Sequence, residues 1–370
     1  ADILIEEGKI KKIAPVLEGK VINEAKVIDA TGIDIYPGFV DAHCHLGLDG
    51  FAAGFAGQDF NELGDPVTPQ LSAIDAINPQ DETFQMAREG GVTCVSTGPG
   101  SSNIIGGTFC VIKTYGKRID DMIVREKSAM KIAFGENPKN CYKDKGVYSR
   151  MSVAAKLREV LNQTILYDRK LKAAGYPDNI DYSKLPAYDV KLEAMLPVIR
   201  EEMPLKAHAH RADDIYTAIR IAKEFGLELR IDHTTDGALI ADDLAKEGFP
   251  VAVGPSFGHA TKYELRNKGF QTPAILAKAG CQVSIITDSP VIEERFLALC
   301  AGRAIYSGLS EFEALQAITI NAAKHIGAET RVGSIEEGKD ADFVLVKGTP
   351  FAVDTRILYT IIDGKVVYQS

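Results

Sequence analysis

The sequence contains no run of eighteen or more apolar residues, so it offers no membrane-spanning helix. Its first residues, Ala1 to Lys12, lack the basic start and apolar stretch of a secretory signal, which makes the cytoplasm the expected compartment. The chain opens directly on a strand-like stretch, Ala1-Asp-Ile-Leu-Ile, which leaves room for residues upstream. Six cysteines stand singly at Cys44, Cys94, Cys110, Cys141, Cys281 and Cys300. Without Cys-x-x-Cys spacing or a small secreted framework to staple, they are expected to be reduced. Positive charge is also scarce: 42 Lys and Arg face 51 Asp and Glu, mixed along the chain, for a net charge of −9. That balance gives no footprint for nucleic acid or an anionic membrane. There is no internal repeat or low-complexity tract, and the stretches Gly98-Pro-Gly-Ser-Ser-Asn and Ile105-Gly-Gly-Thr match neither a Walker loop nor a dinucleotide fingerprint. A small molecule is therefore the expected partner, and a homo-oligomer an ordinary expectation for such a chain.

What is present is ordinary globular material, 370 residues with 45% hydrophobic and 25% charged, long enough for one large domain and a smaller companion. The two ends resemble each other. Ile3-Leu-Ile-Glu-Glu-Gly-Lys-Ile and Tyr359-Thr-Ile-Ile-Asp-Gly-Lys-Val-Val both read as strand, Gly turn, strand, and Asp342-Phe-Val-Leu-Val adds a further strand. Residues 1–37 and 331–370 are thus predicted to share one small β domain. In residues 38–330, short apolar runs alternate with helical patterns, as βα units require.

Eight runs can be counted: Phe39-Val-Asp-Ala-His, Val92-Thr-Cys-Val-Ser, Thr108-Phe-Cys-Val-Ile-Lys, Lys131-Ile-Ala-Phe-Gly, Leu205-Lys-Ala-His, Leu229-Arg-Ile-Asp-His, Val251-Ala-Val-Gly and Val283-Ser-Ile-Ile-Thr. Eight strands close a barrel, so the predicted fold is α/β, a (β/α)8 TIM barrel. The third run, flanked by Gly106-Gly107 and Tyr115-Gly116, would also suit a local hairpin. Helices are predicted over 79–89, 212–225 and 238–247. Residues 151–202 form a helical excursion broken by Gly175-Tyr-Pro and Leu185-Pro.

Side chains alternate across a strand, so His43 and His45 share a face while Cys44 takes the other. At the C-terminal end of a barrel strand that face is the active-site mouth, and imidazole is a preferred zinc ligand. Alone the pair is weak evidence. It gains weight because His208-Ala-His210, Asp232-His233 and Thr287-Asp288 close three other runs, so that five of the seven histidines gather at strand tips sharing one cavity.

These motifs resemble the amidohydrolase superfamily, and within it the branch related to imidazolonepropionase, over nearly the whole chain. The resemblance implies a small β-sandwich built from both termini, and the re-entry motif Gly333-Ser-Ile-Glu-Glu-Gly-Lys-Asp-Ala-Asp342 fits it. It also implies a divalent metal, zinc being the expected ion, with one or two ions per chain. The implied ligands are His43, His45, His208, His233 and Asp288, joined by a carboxylate or carboxylated lysine from an intermediate strand. For that position the sequence offers Glu136, just beyond the fourth run, with Lys113 as the competing bridge and Lys139 a weaker one. His210 and Arg211 are the expected substrate-binding residues, since only one histidine of the fifth run need be a ligand. His259 reads as a loop histidine, and His325 as one stabilised at a helix C-terminus.

The implied reaction is hydrolysis of a C–N bond, in an amide or cyclic amide rather than an ordinary peptide bond. Metal-bound hydroxide would attack, Asp288 would act as general acid and base, and His233 would help to polarise the carbonyl. A deaminase of a ring amidine and a prolidase-like metallo-dipeptidase are the alternatives, with a catalytically inactive scaffold barrel behind them.

Overall fold

The computed structural model describes residues 1–17 and 26–370, so positions 18–25 of the amino-terminal segment lie outside the described residues. At the amino terminus, β1 (Asp2–Glu6) pairs antiparallel with β2 (Lys9–Ala14). The turn between them has positive φ at both central residues, 50° at Glu7 and 78° at Gly8, which suits the right-handed twist of a two-residue hairpin. A short strand, β3 (Asp34–Pro37), then leads into the barrel.

All eight apolar runs become strands of a single sheet. In chain order they are β4 (Phe39–Cys44), β5 (Val92–Thr97), β6 (Ile105–Lys113), β7 (Ile123–Ala133), β8 (Leu205–Ala209), β9 (Leu229–His233), β10 (Val251–Val253) and β11 (Val283–Ile285), and spatial order follows sequence order. The first and last strands meet at their tips. Asp288 N donates to His43 O at 3.2 Å, His45 N donates to Ser289 O at 2.8 Å, and the Thr287 amide and hydroxyl both donate to the Asp41 carboxylate. Helices cover the outside, among them Glu82–Glu89, Ala212–Phe225, Ala241–Glu247 and Gln271–Ala279. The excursion folds as two helices, Arg150–Ala173 and Val190–Ile199, pinned together by buried Tyr167, Leu171 and Leu196. No helix among the described residues is long and apolar enough to cross a membrane.

The barrel departs from eight identical units at one place. β6 runs antiparallel to both β5 and β7, while every other neighbouring pair in the sheet is parallel. The connections on either side of β6 are too short to hold a crossover helix, and only an antiparallel neighbour can be joined that way. The hairpin reading of the third run is the one the fold adopts.

After the barrel, β12 (Phe343–Val346), β13 (Ile357–Ile362) and β14 (Lys365–Gln369) join β3 in a four-stranded sheet of order β14-β13-β12-β3. The turn between β13 and β14 repeats the first hairpin's conformation, with φ of 48° at Asp363 and 72° at Gly364. The likeness of the two chain ends is therefore a shared turn geometry. Ile10, Phe343, Leu345 and Ile361 are buried, with Ile3, Ile5, Ile13 and Ile35 packed against them, so both small sheets contribute to one apolar cluster beside the barrel.

The reversal of β6 corrects the placement of Lys113. In a parallel strand that residue would end at the mouth with the histidines, but here it pairs with Cys94 at the barrel floor. Its Nζ lies 2.6 Å from Asp342, 2.9 Å from Asp340 and 3.3 Å from Asp363. Burial alone would lower its pKa, yet the surrounding carboxylates raise it above the ordinary lysine value. Lys113 is thus a structural cation joining the barrel to the re-entry motif, and is not available as a bridging ligand. Replacing it with Met strands buried carboxylates and is expected to cost about 3–5 kcal/mol. Denaturant unfolding checks the loss, and metal content per folded chain should be unchanged.

Candidate metal centre

Alternation sends every second residue of a strand into the barrel, and the inward set here is unusually polar. Lys206 and His208 of β8 point inward together, and Lys131 of β7 stands beside Lys206 in register. Phe109 of β6 fills the space between them: both ammonium groups lie over its ring, at 5.3 Å and 5.4 Å, and His43 stacks on it at 5.2 Å. At the end of β9 strict alternation would place Asp232 and His233 on opposite sides, but His233 adopts φ 73°, and both side chains remain interior. Asp288 is likewise left-handed, with φ 56°. Non-glycine residues held in that region carry strain of order 1–3 kcal/mol, and two of them meeting at one mouth mark a functional site.

The polar residues form two adjoining groups. His43, His45 and Asp288 make the first, and His208, His210 and His233 the second, with the donor atoms of each group within 4.8 Å of one another. In the first, Asp288 Oδ1 lies 3.4 Å from His43 Nε2 and 3.3 Å from His45 Nε2. The rings of His43 and His233 are 4.9 Å apart, so the groups share a wall.

Each imidazole is aimed by its other nitrogen. His45 Nδ1 is 2.7 Å from Gly98 O and His233 Nδ1 is 2.9 Å from Gly254 O. A carbonyl only accepts, so Nδ1 carries the proton in both, and Nε2 presents a lone pair to the centre. His208 and His210 rest their Nδ1 atoms on Ser101 and Thr235 hydroxyls, each at 2.8 Å. His43 Nδ1 lies 3.0 Å from Asp232 Oδ2, near in distance although not aligned for a hydrogen bond. Burial drives the pKa of His208 and His210 well below the usual histidine value and takes His233 down to about 3, so these three are free bases at neutral pH. The Nε2 atoms of His208 and His233 are buried with no hydrogen-bond partner. Buried orphans of this kind are rare, and a neutral imidazole nitrogen pointing at two others is the donor set a divalent cation takes. The residues present fit a metal.

Sequence reasoning placed five of its ligands in these groups: His43, His45 and Asp288 in one, His208 and His233 in the other. His210, expected to face substrate, stands among the donors. Glu136 enters neither group. It begins the helix Glu136–Tyr142, and its carboxylate accepts the backbone N–H of Glu264 at 3.0 Å. Arg211 lies at the rim, paired with Asp213 at 2.8 Å and facing the ring of Tyr263. His259 is exposed.

Three features were missed. Lys131 is fully buried, its Nζ 3.5 Å from His43 Nε2, and burial pulls its pKa down to about 8. Its position opening the fourth run, in step with the inward Ala133, was the available signal. Glu264 is buried in a short turn after β10, its Oε1 3.9 Å from His208 Nε2 and 3.8 Å from His210 Nε2. No periodicity announces it. Asp232 sits behind His43, 3.0 Å from both Lys206 Nζ and His325 Nε2, so His325 braces the centre in addition to ending its helix.

Residues 35–367 match the amidohydrolase family, and the chain belongs to it. This is a family of hydrolases acting on carbon–nitrogen bonds. Over 393 aligned residues the chain is 27% identical to amidohydrolase tasK of Hapsidospora irregularis, a match that spans all of this chain but 40% of that protein's length. It is 24% identical to the imidazolonepropionase of Idiomarina loihiensis, across 93% of this chain and 85% of that one. Among solved structures, an amidohydrolase from Thermotoga maritima MSB8 superposes with a TM-score of 0.94 at 39% identity, covering 100% of this chain and 95% of that one.

Proposed function

We propose that this protein is a metal-dependent hydrolase that cleaves the C–N bond of an amide or cyclic amide, with Asp288 as general acid and base. The observation carrying this reading is the meeting of His43, His45 and Asp288 with His208, His210 and His233 at the C-terminal mouth of the barrel. His43, His45 and Asp288 would hold one ion and His208 with His233 a second. A bound divalent cation lowers the pKa of water toward neutrality and polarises a carbonyl, and zinc matches the imidazole-rich donor set best.

The protein's own residues supply the rest. Asp288 accepts a proton during attack and returns it to the leaving nitrogen. His233 contributes to binding the carbonyl oxygen, and the buried histidines keep bulk water away from the reacting atoms. Lys131 takes the intermediate-strand position that the family resemblance reserves for a carboxylated lysine. It is buried between the two groups, and its lowered pKa makes the neutral amine, the form that adds carbon dioxide, accessible near neutral pH. Just after Asp288 in the chain, Pro290, Val291, Ile292, Glu293, Phe296 and Leu299, with Phe257, line a cavity of about 380 Å³, within the size range of small-molecule pockets.

Metal analysis of the purified protein paired with a screen of amides, cyclic ureas, imidazolones, ring amidines, N-acyl amino acids and dipeptides tests the reading. Bound metal with turnover of an amide or cyclic amide is expected. A metal-free protein in metal-replete medium, inert to every substrate, would refute it.

A further inference from the structure

We propose that a pocket beside His233, at the amino-terminal end of the helix Gln271–Ala279, binds a carboxylate of the substrate, with Lys268 and Thr272 as the residues that select it. The inference rests on the hydrolase reading and adds a substrate class to it: amides that carry a carboxylate one or two carbons from the scissile bond. His233, Thr235, Ser256, Lys268, Gly269 and Thr272 line the pocket, a recess of about 10 Å³ with room for one water or one oxygen of an anionic group. Because His233 is a wall of this recess and a member of the metal centre, a carboxylate held there stands close to the carbonyl that His233 would help to bind.

The chemistry of the walls calls for negative charge. Lys268 Nζ donates to Phe257 O at 2.6 Å, and an ammonium has further protons to give. Among the described residues it has no carboxylate partner. Burial accordingly lowers its pKa below the ordinary lysine value with no acidic neighbour to offset the loss. Thr272 is 1% exposed, and its Oγ1 has no hydrogen-bond partner. Buried orphan hydroxyls are uncommon, and a carboxylate oxygen in the recess would accept this one's proton. Thr272 is also the second residue of its helix, whose first turn contains no acidic side chain. The free N–H groups and the dipole of that end favour an anion, and the chain itself supplies none. An unpaired ammonium, an unpaired hydroxyl and a helix amino terminus thus converge beside one histidine of the centre.

The test compares two matched probes, N-acetylalanine and its carboxamide N-acetylalaninamide, by calorimetric titration of the full chain, with turnover followed as release of acetate. The wild type is expected to bind the carboxylate about 30-fold more tightly, the strength of hydrogen bonds to a charged group. Lys268→Met should bring the ratio to within about threefold of unity, and Lys268→Arg should keep most of it. Lys268→Glu should reverse the preference toward N-(2-aminoethyl)acetamide, in which an ammonium replaces the carboxylate. Thr272→Val should lower the ratio about threefold to tenfold with an unfolding midpoint equal to or above that of the wild type, because the hydroxyl it removes has no partner in the protein. Equal binding of the two probes by the wild type, or a preference that survives in Lys268→Met, would overturn the pocket, while turnover of neutral amides by the same preparation would uphold the hydrolase reading. A Lys268-dependent preference in a protein that turns over no amide would uphold the pocket and overturn that reading.

Discussion

Asp288→Asn is expected to lower kcat by about 10²–10⁴-fold on whichever amide the substrate screen identifies, while metal content stays close to that of the wild type. The geometry separates the two effects. Asp288 Oδ1 stands 3.3–3.4 Å from the Nε2 atoms of His43 and His45, so a single oxygen can serve as ligand, and the Asn carbonyl can replace it there. The proton-carrying role proposed for Asp288 would have no such substitute. Among the first donor group Asp288 also has the most exposed side chain, 15% against 0% for His43 and 6% for His45, so it is the donor of that group most open to an approaching substrate. Kinetics and metal analysis on the same preparation decide the matter, and wild-type turnover in the variant would remove Asp288 from the proton transfer.

The second large effect is expected behind the metal centre. Asp232 is fully buried and holds Lys206, His325 and His43 at 3.0 Å each. Burial would raise its pKa, but Lys206 and His43 keep it well below the ordinary carboxylate value, so it is ionised throughout the working pH range. With a depressed folded-state pKa, its contribution to stability is present above the unfolded value of about 3.9 and lost as pH falls below it. Asp232→Asn leaves the Lys206 ammonium uncompensated inside the barrel, at an expected cost of about 3–5 kcal/mol. It also loosens the orientation of His43, with an expected fall of about 10–100-fold in metal affinity. Adding Lys206→Met should restore much of the stability and little of the affinity, because only the first depends on the stranded charge. Unfolding curves and metal titrations of the two variants test that separation.

The histidines were legible because a metal site on a barrel uses strand tips, and a tip is visible as a polar residue ending an apolar run. His43, His45, His208, His233 and Asp288 all follow that grammar. Lys131 and Lys206 were harder to see, since a lysine in such a run reads as the edge of a strand unless its inward phase is counted from neighbours such as Ala133 and His208. Glu264 was invisible for a different reason: it comes from a turn 54 positions beyond His210, and only the folded chain brings them together. The direction of β6 was ambiguous because strand composition does not encode polarity. That choice lies in the connections, and reading it wrongly would carry Lys113 from the floor to the mouth.

The reversed strand also gives the molecule a handle. Because β6 descends and β7 ascends, their connecting turn emerges at the end of the barrel opposite the histidines, with Tyr115, Lys117, Arg118 and Asp120 exposed to solvent. A fluorophore or surface tether attached at Lys117 would leave the entrance unobstructed in every orientation of an immobilised sample. The hairpin that breaks the barrel's regularity is thus its most convenient point of attachment for watching ligands come and go.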